Sequence, residues 1–161
     1  MAINLTSFLK EDNFTVFVNF KSHFRNAKSS LEQGFILDNK VTSLISVEEY
    51  LKNNTRASSD KIIKLFKLVK LKETILTESL KYLTPLELKK VYLAEVLLLK
   101  SKIIICEYFF RDMINEEKDY FRRLLRNLIY KQKIKIILIE NDMNFICETV
   151  KEFYLFTKNE K

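Results

Sequence analysis

The sequence predicts an α/β protein in which a parallel sheet is joined by crossover helices and interrupted by a helical insert. Three observations carry that expectation. Five short β-rich runs are apolar almost throughout, as strands covered on both faces must be. Helical stretches lie between most of them. The 161 residues, 47% of them hydrophobic, suffice for one buried core and fall short of two ordinary domains. The whole chain, 1–161, is therefore read as a single domain.

In chain order, F-T-V-F-V at Phe14 to Val18 and G-F-I-L at Gly34 to Leu37 are the first two strands. A helical block follows from about Val47 to Leu99, broken by the polar N-N-T-R-A-S-S at Asn53 to Ser59 and by Thr84-Pro85. Inside it Ile62, Leu65, Phe66 and Val69 form an apolar stripe, and Asp60 is placed to cap their helix. Thr84, with Pro85 at the first helical position and Glu87 three residues on, makes a capping-box start to the next helix. K-I-I-I-C at Lys102 to Cys106 is the third strand. From Ile114 to Tyr130, the residues Ile114, Phe121, Leu124, Leu125 and Leu128 keep helical spacing, with Arg122, Arg123 and Arg126 opposite, as in a strand-connecting crossover helix. I-K-I-I-L-I at Ile134 to Ile139 is the fourth strand, Asp142 caps a helix beginning at Met143, and F-Y-L-F at Phe153 to Phe156 is the fifth strand. The sheet core thus occupies roughly 1–46 and 100–161, and the helical insert roughly 47–99.

Composition narrows the function. The chain carries 28 Lys+Arg against 21 Asp+Glu, a net charge of +7 that would suit nucleic acid or an anionic membrane surface. Its basic residues are scattered along helices (Lys61, Lys64, Lys67, Lys70, then Arg122, Arg123, Arg126), which reads as a solvated face, and no nucleic-acid partner is expected. No apolar run approaches the roughly 18 residues of a bilayer span and no signal-like leader opens the sequence, so the expected place is the cytoplasm. Cys106 and Cys147 each lie in an apolar segment and read as free, small buried hydrophobes. With His23 the only histidine, no metal site is expected.

Several stretches then resemble one family. Leu83 to Leu97 reads L-T-P-L-E-L-K-K-V-Y-L-A-E-V-L, similar to the signature helix L-S-G-G-E-x-x-R-V-x-L-A-x-A-L of the ATP-binding cassette (ABC) ATPases. In that register the Walker B strand falls on Ile103 to Cys106 followed by Glu107-Tyr108, and the switch histidine on Asn141 in E-N-D. Upstream, G-F-I-L-D-N with I-S-V-E-E-Y-L resembles the glutamine-loop region of exporter-like cassettes and puts Asp38 at the glutamine position. The resemblance implies a P-loop-NTPase-like fold. Only a few residues separate Lys28 from Gly34, so the antiparallel β-subdomain of the family is expected to be reduced.

The same resemblance shows which chemistry is missing. A phosphate loop wraps its anion with successive backbone N–H groups, which requires glycine, and uses a lysine to reach the outer phosphates. After the first strand comes N-F-K-S-H-F-R-N-A-K-S-S, Asn19 to Ser30, where Arg25 in one register, or Lys28 with Ser29 in another, takes the lysine place. No glycine is present, and Phe20, His23 and Phe24 would fill the cradle. Glu107 keeps one carboxylate at the Walker B position. Tyr108 replaces the catalytic glutamate and, with a reference pKa of about 10, is no base at neutral pH. Pro85 and Leu86 replace the signature glycines between Thr84 and Glu87, and Ile114 stands at the D-loop aspartate.

The expectation is therefore a non-hydrolysing, truncated cassette with no catalytic residues and no bound cofactor, acting as scaffold or regulator. Its partners would be a membrane-embedded transport subunit, an intact ABC ATPase, or both, and it would lie peripherally at the inner face of the membrane. Asp38 to Tyr50 and Asp60 to Leu71 supply the docking surface by resemblance. Two readings stay open beside it. One is a subunit that binds Mg-ATP through Arg25, Lys28 and Ser29 and completes a composite site; the other is a basic nucleic-acid-binding module.

Overall fold

The computed structural model describes residues 14–18, 33–36, 43–149 and 154–155. β1 (Phe14–Val18), β2 (Gln33–Ile36), β3 (Ile103–Glu107), β4 (Lys135–Glu140) and β5 (Tyr154–Leu155) form one sheet in the order β2-β3-β4-β1-β5, with every neighbouring pair parallel. The register aligns Val18 with Glu140 and Glu107 with Ile139, so the carboxyl ends of β1, β3 and β4 share one edge. In open parallel sheets that edge is where ligands bind. The parallel reading of the sequence holds because its central strands are covered on both faces: Ile104 to Glu107 and Ile136 to Glu140 are buried without alternation.

The insert contains α1 (Val47–Thr55) and α2 (Ser59–Leu68), then two short 3-10 helices at Glu73–Thr77 and Leu80–Tyr82, then α3 (Pro85–Leu98). The block expected to be helical from Val47 to Leu99 is thus more broken than its periodicity suggests. Ile62, Phe66 and Val69 are fully buried and Leu65 half-buried, as the stripe predicts. Asp60 is not the cap. Ser58 holds that position, and Asp60 lies in the first turn, where its negative charge suits the positive end of the helix dipole. Thr84 and Glu87 do form the capping box: Thr84 Oγ1 accepts from the Glu87 N–H at 3.2 Å, and the Glu87 carboxylate accepts from the Thr84 N–H at 2.9 Å.

α4 (Asn115–Gln132) buries Phe121, Leu124, Leu125, Leu128 and Ile129. Ile114 departs from the expected stripe. It takes the N-cap position in extended conformation and is 64% exposed. α5 (Met143–Thr149) is capped by Asp142, whose Oδ1 accepts from the Phe145 N–H at 3.1 Å. Cys106 is buried as expected, while Cys147 on α5 is exposed, because a seven-residue helix buries only one side and Phe145 and Ile146 take it.

Insert and sheet share one hydrophobic core, from Val47, Leu51 and Phe66 through Ile104 and Leu138 to Phe145. Polar ties cross the same boundary. Tyr120 Oη on α4 donates to the Leu68 carbonyl at 2.6 Å, and Lys90 on α3 pairs with Glu117 on α4 at 2.8 Å. Within the insert, Tyr50 Oη and Asn54 Nδ2 donate to the two carboxylate oxygens of Glu95, at 2.7 and 3.0 Å.

With a single glycine in the chain, left-handed backbone falls on other residues. Arg56, Lys70, Lys100 and Lys133 follow α1, α2, α3 and α4 with φ of 53–56°. All four are basic and exposed, which suits the negative end of a helix dipole but keeps the steric cost of a Cβ at positive φ. Lys133→Gly is therefore expected to stabilise the protein by about 0.5–1 kcal/mol, as the relief of the Cβ clash outweighs the extra chain entropy. A higher midpoint in urea denaturation, with unchanged slope, is the measurement that checks it.

Candidate functional site

The candidate site is assembled where β3 and β4 end. Beyond Glu107 the chain turns sharply: Tyr108 adopts φ 48°, and its N–H donates to the Ile139 carbonyl at 2.8 Å, so the turn is pinned to the neighbouring strand. A non-glycine residue at this φ is a strained position, of the kind that over-determined surroundings hold in place. Phe109 and Phe110 then point inward and are almost wholly buried. Their rings meet edge-on at 5.2 Å, with Phe121 at 5.4 Å from Phe109 and Phe145 at 4.3 Å from Phe110. This aromatic cluster fixes the floor of the site.

Polar groups secure the turn from two sides. Lys89 of α3, its side chain 2% exposed, donates to the Tyr108 carbonyl at 2.7 Å and pairs with Asp112 at 3.2 Å. Glu140 at the end of β4, 3% exposed, accepts from the Phe110 N–H at 3.1 Å. A cleft of about 190 Å³ opens above them, lined by Tyr108, Phe110, Arg111, Lys118, Glu140, Asn141 and Asp142. The Arg111 guanidinium lies 4.1 Å from the centre of the Tyr108 ring, and Lys118 pairs with Asp142 at 3.3 Å.

Burial pushes the Glu140 carboxyl up to about 7, and Asp142 adds to the rise; the Phe110 N–H, Lys89 and Arg111 oppose it. Asp142 moves the other way. Its helix-capping bond from Phe145, with Lys118 beside it, holds its carboxyl below the usual carboxylate range. The Cys106 thiol on β3 is pushed up by burial and then by Glu140, so it is no nucleophile at neutral pH.

Of the residues singled out in the sequence, Tyr108, Asn141 and Asp142 line this cleft. Glu107 is buried at the end of β3 rather than solvated, and the carboxylate that opens into the cleft is Glu140. Thr84 and Glu87 line a separate opening of about 520 Å³ on the insert, together with Lys70, Tyr82 and Lys90. Arg25, Lys28, Ser29 and Asp38 lie outside the described residues, as do Phe20, His23 and Phe24. Sequence reasoning overlooked Glu140 and Lys89. A lone Glu after I-K-I-I-L-I and a Lys inside L-K-K-V resemble solvated positions, and only the tertiary arrangement buries them.

Two of the positions singled out in the sequence, the start of α3 and Tyr108, lie among the described residues. The α3 N-terminus is occupied by its own capping box: Pro85 brings no N–H, the Glu87 N–H is taken by Thr84, and the Glu87 carboxylate accepts from the Thr84 N–H and hydroxyl. Beyond β3, Tyr108 carries a ring with the Arg111 guanidinium over it. Among the described residues, no group of three or more His, Cys, Asp or Glu is arranged to hold a metal ion.

No protein-family model and no curated protein sequence matches the chain. Solved structures do. An ATP-binding cassette captured as a dimer in a post-hydrolysis state with ADP and phosphate superposes at TM-score 0.66 with 14% identity, over 78% of this chain and 59% of that one. A dimeric bacterial ABC transporter cassette gives 0.70 at 12% identity, over 89% and 80%. A component of the CbiONQ transporter complex of Clostridium perfringens gives 0.64 at 15% identity, over 88% and 72%. The fold is that of the ABC transporter cassettes, and the P-loop-NTPase-like parallel sheet read from the sequence is correct. The chain spans 59% of the length of the first of these structures.

Glu140 makes stability depend on pH. Its folded value lies above the ordinary carboxylate value of 4.5, so between 4.5 and about 7 the native state holds a proton that the unfolded chain has released. Stability therefore falls as pH rises through this window, by about 3 kcal/mol in all. Glu140→Gln keeps an acceptor for the Phe110 N–H and is expected to flatten the loss between about pH 5 and pH 8 in denaturant titrations. A wild-type slope of the opposite sign would rule this out.

Proposed function

We propose that this chain is a cassette-fold subunit that does not hydrolyse ATP and that acts as scaffold or regulator, docked on a membrane-embedded transport subunit or paired with an intact ABC ATPase. The observation that carries this reading is the self-capped N-terminus of α3. A helix start that receives phosphate must offer free N–H groups and room for the anion, and this one has Pro85, which brings no N–H, and Leu86, which adds a side chain, where the resembled signature has two glycines. Tyr108 in place of a second carboxylate and the glycine-free segment Asn19 to Ser30 support the same conclusion.

What remains is a rigid body with partner-facing surface. The similar structures include a component of a named transporter complex and cassettes solved as dimers, which supports partners of both kinds. No helix among the described residues is long and apolar enough to cross a membrane, so attachment to one would run through a partner or through the surface.

The purified chain is expected to release no phosphate from Mg-ATP above background and to keep its melting temperature when Mg-ATP is added. A site with Kd a hundredfold below the nucleotide concentration would add about 2.7 kcal/mol of stability, a shift easily seen. Such a shift, or turnover abolished by Glu107→Gln, would establish the ATP-binding composite-site reading instead. Co-purification in detergent with a polytopic membrane protein encoded beside it tests the docking itself.

A further inference from the structure

The stretch Lys61 to Lys72, K-I-I-K-L-F-K-L-V-K-L-K, carries five lysines and no acidic residue. Its apolar stripe, expected from the sequence to help receive a partner, is consumed inside the protein: Ile62, Phe66 and Val69 are fully buried and Leu71 nearly so. What faces outward is basic. Lys61, Lys64, Lys67, Lys70 and Lys72 are all exposed. At 3.6 residues per turn, Lys61, Lys64 and Lys67 span an arc of about 120° on the side of α2 away from the core. Lys67 reaches Glu73 at 3.6 Å, a weak surface pair with both side chains more than half exposed, and Lys70 lies 3.9 Å from the Tyr120 ring. Lys61 and Lys64 are left facing solvent, with Asp60 the nearest acidic neighbour in sequence.

We infer that the exposed lysine face of α2 binds the anionic headgroups of a lipid bilayer. Three of the five lysines lie on α2 and two, Lys70 and Lys72, just beyond it, a basic cluster of the size that anionic membranes attract. The shape favours a bilayer over nucleic acid. The arc is convex and suits a flat surface, and α2 exposes no aromatic ring on which a base could stack. Because the apolar stripe is committed to the core, the contact is electrostatic and does not require the helix to leave the fold. It needs no transport subunit, so it can hold or fail independently of the docking proposed above.

The test is flotation of the full chain with vesicles of phosphatidylcholine alone and of phosphatidylcholine mixed with phosphatidylserine, at low and high salt. Binding is expected to the phosphatidylserine vesicles alone and to fade at high salt. Lys61→Gln, Lys64→Gln and Lys67→Gln combined should weaken it on the order of 100-fold, while the same three positions changed to Arg should retain it. Circular dichroism and melting temperature of the variants, with all three side chains exposed, should match the parent protein. The inference is overturned if the parent chain ignores phosphatidylserine at low salt or if the Gln variant floats as well as the parent. It is equally overturned if vesicles capture nothing while RNA is bound through the same three lysines. A failed flotation would leave co-purification with a transport subunit untouched.

Discussion

Lys89 sends its ammonium through the buried side of α3, between Leu88 and Lys90 in sequence and among the core positions Val91 and Leu93. A charge that far from water costs several kcal/mol unless its donors are met. They are met by the Tyr108 carbonyl and Asp112, both in the turn that follows β3. α3 therefore packs with full stability only when that turn has its native shape. The turn depends in the same way on β4, through the Tyr108 N–H to the Ile139 carbonyl and the Phe110 N–H to Glu140. Insert, turn and sheet edge are one cooperative unit, with the Phe109, Phe110, Phe121 and Phe145 rings packed beneath it.

Fold and chemistry separate here because they rest on different residues. The sheet needs strands apolar on both faces and helices with an apolar stripe, and any combination of Ile, Leu, Val and Phe at the right period will do. A phosphate cradle needs residues without a Cβ, at fixed places. This chain satisfies the first demand throughout and the second nowhere: even its helix ends take left-handed backbone on Arg56, Lys70, Lys100 and Lys133. The cassette architecture is thus kept at 12–15% identity to solved cassettes.

Most of the architecture was readable before any coordinates. Continuous burial of Ile104 to Glu107 follows directly from the run K-I-I-I-C-E, and the capping box from the spacing of Thr84 and Glu87. The errors are those of local reading. Asp60 is a good capping residue, but Ser58 precedes it and the helix starts there. Ile114 keeps the period of α4, yet at its N-cap the chain is still extended and the side chain points to solvent. Cys147 sits in an apolar segment on a helix too short to bury more than one side. The site was less readable than the fold for the same reason. Lys89 and Glu140 look like surface charges in sequence and become buried only when α3, β3 and β4 converge, a fact that no window of a dozen residues contains.

The insert's charges complete the logic. α1, α2 and α3 bury apolar positions toward a shared core, so α2 has no apolar face left to offer a partner. Any contact on its outer side has to come from lysines, and contacts of that kind are long-ranged, tolerant of orientation and weakened by salt. A precise docking surface needs the opposite properties: buried shape-complementary anchors with a polar rim. Among the described surfaces, the opening beside Tyr82, Leu83 and Leu86, where Tyr82 is 70% exposed, comes nearer to that description. It lies at the self-capped start of α3.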